Sequence, residues 1–534
     1  MSRKYLRFQP LTDWRVGKTC LLITLVPFSV NSASIWNESS GKRTEVTSGY
    51  SSQEERDYPL FVSGEGSELV VNSPLEFTTN RKTTPAALVQ NQGTLTLNGA
   101  SLKTNAQVSP GVKVSSGTLN MDNTTINNSA NSSHGIAANG NSTLNVTNST
   151  ITLGGTSSYG IELKDQSNLV ADGLHFNING TSTTTGITLS HQDAKAQISN
   201  STFNVSSGSG NYAIQQNLGE LTADNLTITA KGKGGGLRIG DWGQDRALKS
   251  TLSDSTIETE DGLGLLIRNA VAELNNNIVS TSGTSARALD INTNASVTVN
   301  NGSYTTRGNN ADAVWLAGNT DLKINDASLT TLGNGSHALN AQFGSAAAEG
   351  VTLSTSGVSS YGFYAENHST GNNLTIETTG EKGMGVFSAT QNGQIDLTNS
   401  TIKTHGAFAS GIVAYPQSTV TASNVTVTTH GNEASALSVR AGNINVDNST
   451  LTSEGNAAAL TASGYSDTLF NTVNLDKVKL TSATQEAIRA TATTLKMQAR
   501  NGSVIEGGNG QLLNVFTLDD EQESIVYPSH VELE

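Results

Sequence analysis

The feature that most constrains this chain is a phrase that returns about every 25 residues: a small residue, an apolar one, any residue, a second apolar one, then a polar stretch. It stands at Gly111-Val112, Gly135-Ile136, Gly160-Ile161 and Gly186-Ile187, and runs on through Ala436-Leu437 and Ala459-Leu460 to Ala487-Ile488. The step varies little, from the short one between Gly362 and Gly385 to the long one between Gly236 and Gly264. A period held this long excludes a disordered polar tract and predicts a stack of like units. Within one interval, Gly135-Ile136-Ala137-Ala138, Thr143-Leu144-Asn145-Val146 and Thr150-Ile151-Thr152-Leu153 each alternate with the period of two that puts side chains on opposite faces of a strand. Between the last two runs comes Asn148-Ser149, repeated as Asn200-Ser201, Asp254-Ser255, Asn399-Ser400 and Asn448-Ser449. Asn and Asp tolerate the left-handed backbone of a sharp bend. Three strands and three bends per interval predict one coil of an all-β, single-stranded parallel β-helix, with about 17 coils at a spacing of about 4.8 Å.

Composition fits such a solenoid. Apolar residues are 35% and charged ones 14%, and most of the remainder is Ser, Thr, Asn or Gln. A coil buries only the inward members of short strands, so bends and outward rows can be polar throughout. Residues 1–33 read as a signal peptide: a basic stretch from Arg3 to Lys18, an apolar run Leu21–Val30, and Asn31-Ser32-Ala33 as the exit, with cleavage expected at Ala33. The lone cysteine, Cys20, leaves with it, which excludes disulfides, thiolate metal sites and a Cys nucleophile from the mature chain. The formal charge of −14 becomes −18 on removal of residues 1–33, a balance that opposes nucleic acid and anionic membranes. No later run is long enough to span a bilayer as a helix, so no direct membrane insertion is expected. Residues 34–86 read as an N-terminal cap with a first degenerate coil around Leu69-Val70-Val71, and 87–534 as the solenoid proper, ending partway through a coil at Val531-Glu532-Leu533-Glu534.

The signal, the lack of mature cysteine, the acidic Ser/Thr/Asn/Gly-rich composition and the Asn-Ser step together resemble the passenger region of Gram-negative type V autotransporters, of the pertactin and diffuse-adherence adhesin kind. The likeness covers about residues 60–534. It implies a right-handed, pectin-lyase-like β-helix shown at the cell surface as an adhesin or self-association protein. The expected partners are host or bacterial surface glycans or proteins, or further copies of the chain. Such proteins end in a translocator β-barrel, which this sequence lacks, so it reads as truncated before the barrel. Cell-surface display is expected if a full-length barrel exists, and a periplasmic or secreted location otherwise. A non-functional truncated product is a further alternative.

The runner-up reading is a carbohydrate-active or carbohydrate-binding β-helix, since parallel β-helices also carry polysaccharide lyases, hydrolases and tailspike-like binders; the enzymes' chemistry needs carboxylates side by side on adjacent coils. The outward positions of the first strands, from Lys113 through Glu162, Arg238 and Asp290 to Arg489, place no two acids together, and Glu273 and Asp396 of the second strands stand far apart. No catalytic residue, cofactor or metal is assigned. Of His134, His337, His405 and His430, which lie near bends, only His405 and His430 fall on touching coils. The same row holds one unusual run, Trp315, Asn340, Tyr364, Phe387 and Val413, on five consecutive coils. Two readings stand: a stacked ladder that stabilises the rod, or an exposed ligand or self-association face. A long coil adds the segment containing Asp241, Trp242, Asp245 and Arg246 as a second candidate contact loop.

Overall fold

The computed structural model describes residues 36–206, 208–241, 248–464, 470–516, 518–520, 525–527 and 529–534. The chain winds as a right-handed parallel β-solenoid of about 19 turns, and each turn gives one strand to each of three sheets. In a representative coil these are Ile136–Asn139, Thr143–Thr147 and Thr150–Leu153. Each pairs in parallel with the strands one coil before and after, so Leu144 sits in register with Leu119 and Leu169, and Ile151 with Ile126 and Phe176. Inward positions Ile136, Leu144, Val146, Ile151 and Leu153 are fully buried. Like stacks on like along the axis, and a single apolar core runs from Val46 to Met497. Phe176 and Phe203 continue it as parallel rings 4.7 Å apart.

The solenoid begins earlier than the sequence suggests. Residues 34–86 hold strands Trp36–Glu38, Arg43–Glu45 and Tyr50–Ser51, then Leu60–Ser63, Glu68–Val71 and Glu76–Thr79, which are two coils in register with those that follow. This explains why the expected 17 coils become about 19. At the other end, His530–Leu533 stacks on Thr494–Arg500 in the second sheet. The inward Val515 and Leu533 of this last coil are about 45% exposed.

The bends carry the regularity that composition hides. At the second bend, Asn148, Asn200, Asn399 and Asn448 have φ between 46° and 52°, the left-handed conformation expected of the Asn-Ser step. The serine that follows reaches back one coil: Ser149 Oγ accepts from Thr124 N at 3.1 Å, and Ser449 Oγ from Val425 N at 3.0 Å. Those amides are buried at a turn, where they would otherwise lack a partner. The third bend holds a column of glycines, Gly283, Gly308, Gly333, Gly357, Gly380, Gly406, Gly431 and Gly455. A Cβ on any from Gly308 to Gly431 would stand 1.8–1.9 Å from the carbonyl oxygen of the glycine one coil earlier. Close stacking, with no positive φ, excludes every other residue there.

Candidate binding face

The outward row of the first sheet is in the register that the sequence implies: Asp290, Trp315, Asn340, Tyr364, Phe387 and Val413 are successive Cα partners. Their exposure departs from the expectation of an open stripe. Asn340, Phe387 and Val413 are buried, and Trp315 and Tyr364 are half-buried. Two flanking columns cover them. One, three residues earlier on each coil, supplies Arg287, Asp312, His337, Tyr361 and Met384; the other, two residues later, supplies Gln342, Glu366, Ala389 and Tyr415. Phe387, Ala389 and Val413 form a small apolar cluster outside the main core, with Tyr361, Tyr364, Met384 and Tyr415 packed on it.

Within this cluster the rings use their faces on one another. His337 lies 4.6 Å from Tyr361 at 18°, and Tyr361 lies 4.9 Å from Phe387 at 9°. Tyr364 stacks between His337 and Phe387 at 5.4 and 5.6 Å. Stacked rings along the axis turn their edges outward. Tyr415 differs, tilted 58° from Phe387. Below the rings the face becomes ionic. The Arg287 guanidinium sits 3.7 Å over the Trp315 ring and pairs with Asp290 at 2.9 Å, while Trp315 Nε1 donates to Gln342 Oε1 at 3.4 Å. Buried Asp312 accepts from the backbone N of His337 at 2.7 Å and from Asn340 Nδ2 at 3.0 Å. Burial pushes the Asp312 carboxyl up, against the pull of His337 and Arg287, and burial also draws the His337 imidazole down. His337 Nδ1 accepts from Tyr361 N at 2.9 Å, and His134 repeats this with Tyr159 at 3.0 Å.

Of the candidate loop, Arg238 Nη2 holds Asp241 at 2.8 Å, and Trp242, Asp245 and Arg246 lie outside the described residues, as does Ala33. His405 and His430 do come together, stacked at 4.7 Å, yet each is paired with a carboxylate, Glu377 and Glu454, at 3.0 Å. Among the described residues no three His, Cys, Asp or Glu side chains are placed to hold a metal.

One constellation goes beyond the sequence expectations. Asp447, Asp476 and Arg500 occupy the same register position on three consecutive coils of the second sheet and line an open groove with Asn445, Asn474 and Gln498. Glu273 and Asp396, which stand far apart, hold middle outward positions of their strands, whereas these residues hold the last one. The repeat spacing alone is enough to align them.

No protein-family profile and no curated protein matches the chain. Among solved structures, a chain of the cryo-EM structure of the Vag8–C1 inhibitor complex is similar over 92% of this chain and 100% of its own, with a TM-score of 0.51 and 15% identity. The two share the fold.

Proposed function

We propose that this chain is the passenger of an autotransporter-type exported protein, and that its solenoid acts without catalysis as an adhesin or self-association surface. The observation that carries the reading is the continuous solenoid, matched over 92% of the chain by a component of the Vag8–C1 inhibitor complex. That similar protein is held in a complex with another protein, and a rod of this kind offers its flanks rather than a cleft to a partner. The ionic and aromatic face from Arg287 to Tyr415 is the patch on which such contact is expected. Purified full-length protein coupled to latex beads should aggregate the beads or fix them to epithelial or bacterial cells. Beads that stay dispersed and unattached across such cells would sink the proposal.

A second reading has one observation in its favour. The Asp447, Asp476 and Arg500 column has the adjacent carboxylates that a carbohydrate-active β-helix would need. Against it, Asp447 is exposed and the groove is open to water. Incubation with plant and bacterial polysaccharides should release no new reducing ends or unsaturated products. Release abolished by Asp447→Asn with Asp476→Asn would establish the second reading instead.

A further inference from the structure

A shallow groove crosses the first sheet obliquely over the aromatic cluster, lined by His337, Asn340, Gln342, Tyr361, Tyr364 and Tyr415. Ala389, nearly buried, is also in the lining. Ala389 stands in the outer flanking column between Glu366 and Tyr415, each one coil away, as the backbone bonds Ala389 N to Ala365 O and Tyr415 N to Ser388 O show. Walls two coil spacings apart stand about 10 Å between centres, which leaves a notch about 6 Å wide over the alanine floor once their van der Waals thickness is taken off, the width of one hexose ring. Glu366 and Tyr364 together form one wall, the Tyr364 Oη donating to the Glu366 carboxylate at 2.6 Å; Tyr415 forms the other and is the ring that departs from face-to-face stacking.

The polar equipment of the groove is unspent. The Tyr361 and Tyr415 hydroxyls make no hydrogen bond to other described residues, and Gln342 uses only its oxygen, on Trp315. Asn340, 7% exposed, gives its amide N–H to Asp312 and keeps its Oδ1 out of solvent, so the open polar groups are the two phenols and the Gln342 amide. Phenols, a primary amide and aromatic surface together suit a ligand that is hydroxylated at its edge and apolar on its ring face. The lining of the groove holds no Lys, Arg, Asp or Glu among the described residues; at its two ends the Glu366 carboxylate is engaged by the Tyr364 hydroxyl and Arg440 lies 5.8 Å over the Tyr415 ring, so the floor itself presents no charge to an ionic ligand. A protein partner needs about 800 Å² of each surface, far more than a one-ring notch gives.

We propose that this groove is a subsite for a short stretch of neutral polysaccharide, one sugar ring seated over Ala389 between Tyr364 and Tyr415. The assignment rests on the adhesin reading and names its ligand class. The test is calorimetric titration of the purified full-length chain with cellohexaose, maltohexaose and chitohexaose, and with hexagalacturonate as the charged control. At least one neutral hexaose should bind saturably and hexagalacturonate should not. Tyr415→Ala should weaken that binding about tenfold, the loss of one aromatic contact at a binding centre. Ala389→Trp, which fills the notch and removes no ring, should do the same with an unchanged circular dichroism spectrum. The subsite is overturned if no neutral hexaose binds, if hexagalacturonate binds as well, or if Ala389→Trp binds as the parent does. Retained bead adhesion in any of those cases would leave the adhesin reading standing.

Discussion

At the third bend, a single atom decides what can stand there. Gly380 has an ordinary φ, yet its Cβ would lie 1.9 Å from the Gly357 carbonyl oxygen, and it in turn faces Gly406. Gly380→Ala should therefore push two coils apart and cost about 1–3 kcal/mol, the usual range for overpacking, read as a fall in urea midpoint. Gly99→Ala meets open space and is strained only through its φ of 78°, so it should cost about 1 kcal/mol. His337 gives a second prediction, in pH. Burial holds its folded-state value below the ordinary 6.5, so as pH falls below 6.5 the unfolded chain takes up a proton that the folded chain refuses. Stability should be full above that value and fall from pH 7 to pH 5. Asp312, pushed up by burial, works in the opposite sense. His337→Asn keeps an acceptor for Tyr361 N and removes the imidazole, so its urea midpoint should drop less over this range than the parent's. An equal drop would exonerate the histidine.

A coil is the element here, and its bends are as specific as its strands. Asn399 has φ 52°; its Nδ2 donates to Asn372 at 2.8 Å while its Oδ1 accepts from Asn424 at 2.6 Å. Asn399→Ala should lose both bonds and strain the backbone, costing about 1–2 kcal/mol, whereas Asn399→Gly, matching Gly350 at the equivalent bend, should cost less. Thermal melts of the two variants rank the terms. This level was the most legible from sequence. Burial forces Ile136, Ile161 and Ile187 onto one column, which fixes the phase of every outward residue, and the Asn-Ser step announces its own conformation. Exposure was not legible in the same way. Whether Phe387 faces water depends on how Tyr361 and Tyr415, three residues before and two residues after the shared row, lean over it. A pattern of period two records which face a side chain takes and carries no information on what its neighbours do above that face. The Asp447, Asp476 and Arg500 column lay within reach of the repeat and needed only a third outward position to be compared.

On the scale of the whole molecule, each coil packs mainly on its two neighbours, the Arg489–Glu433 ion pair at 2.9 Å reaching past one coil, so stability is largely local and adds along the rod. The inter-coil backbone bonds, such as Gly111 N to His134 O at 2.9 Å and Gly135 N to Tyr159 O at 2.8 Å, run along the axis. Pulled by its ends, such a rod is loaded like a zip, one rung at a time. Each rung that opens frees about 25 residues, or roughly 80–90 Å of contour. Single-molecule force–extension traces should therefore show a staircase of steps of that length at nearly constant force, and one large rupture would contradict it. A tether built in this way yields in small equal increments and lets its anchor hold while it lengthens. The tally of coils is thus also a measure of how much sudden load the molecule can absorb.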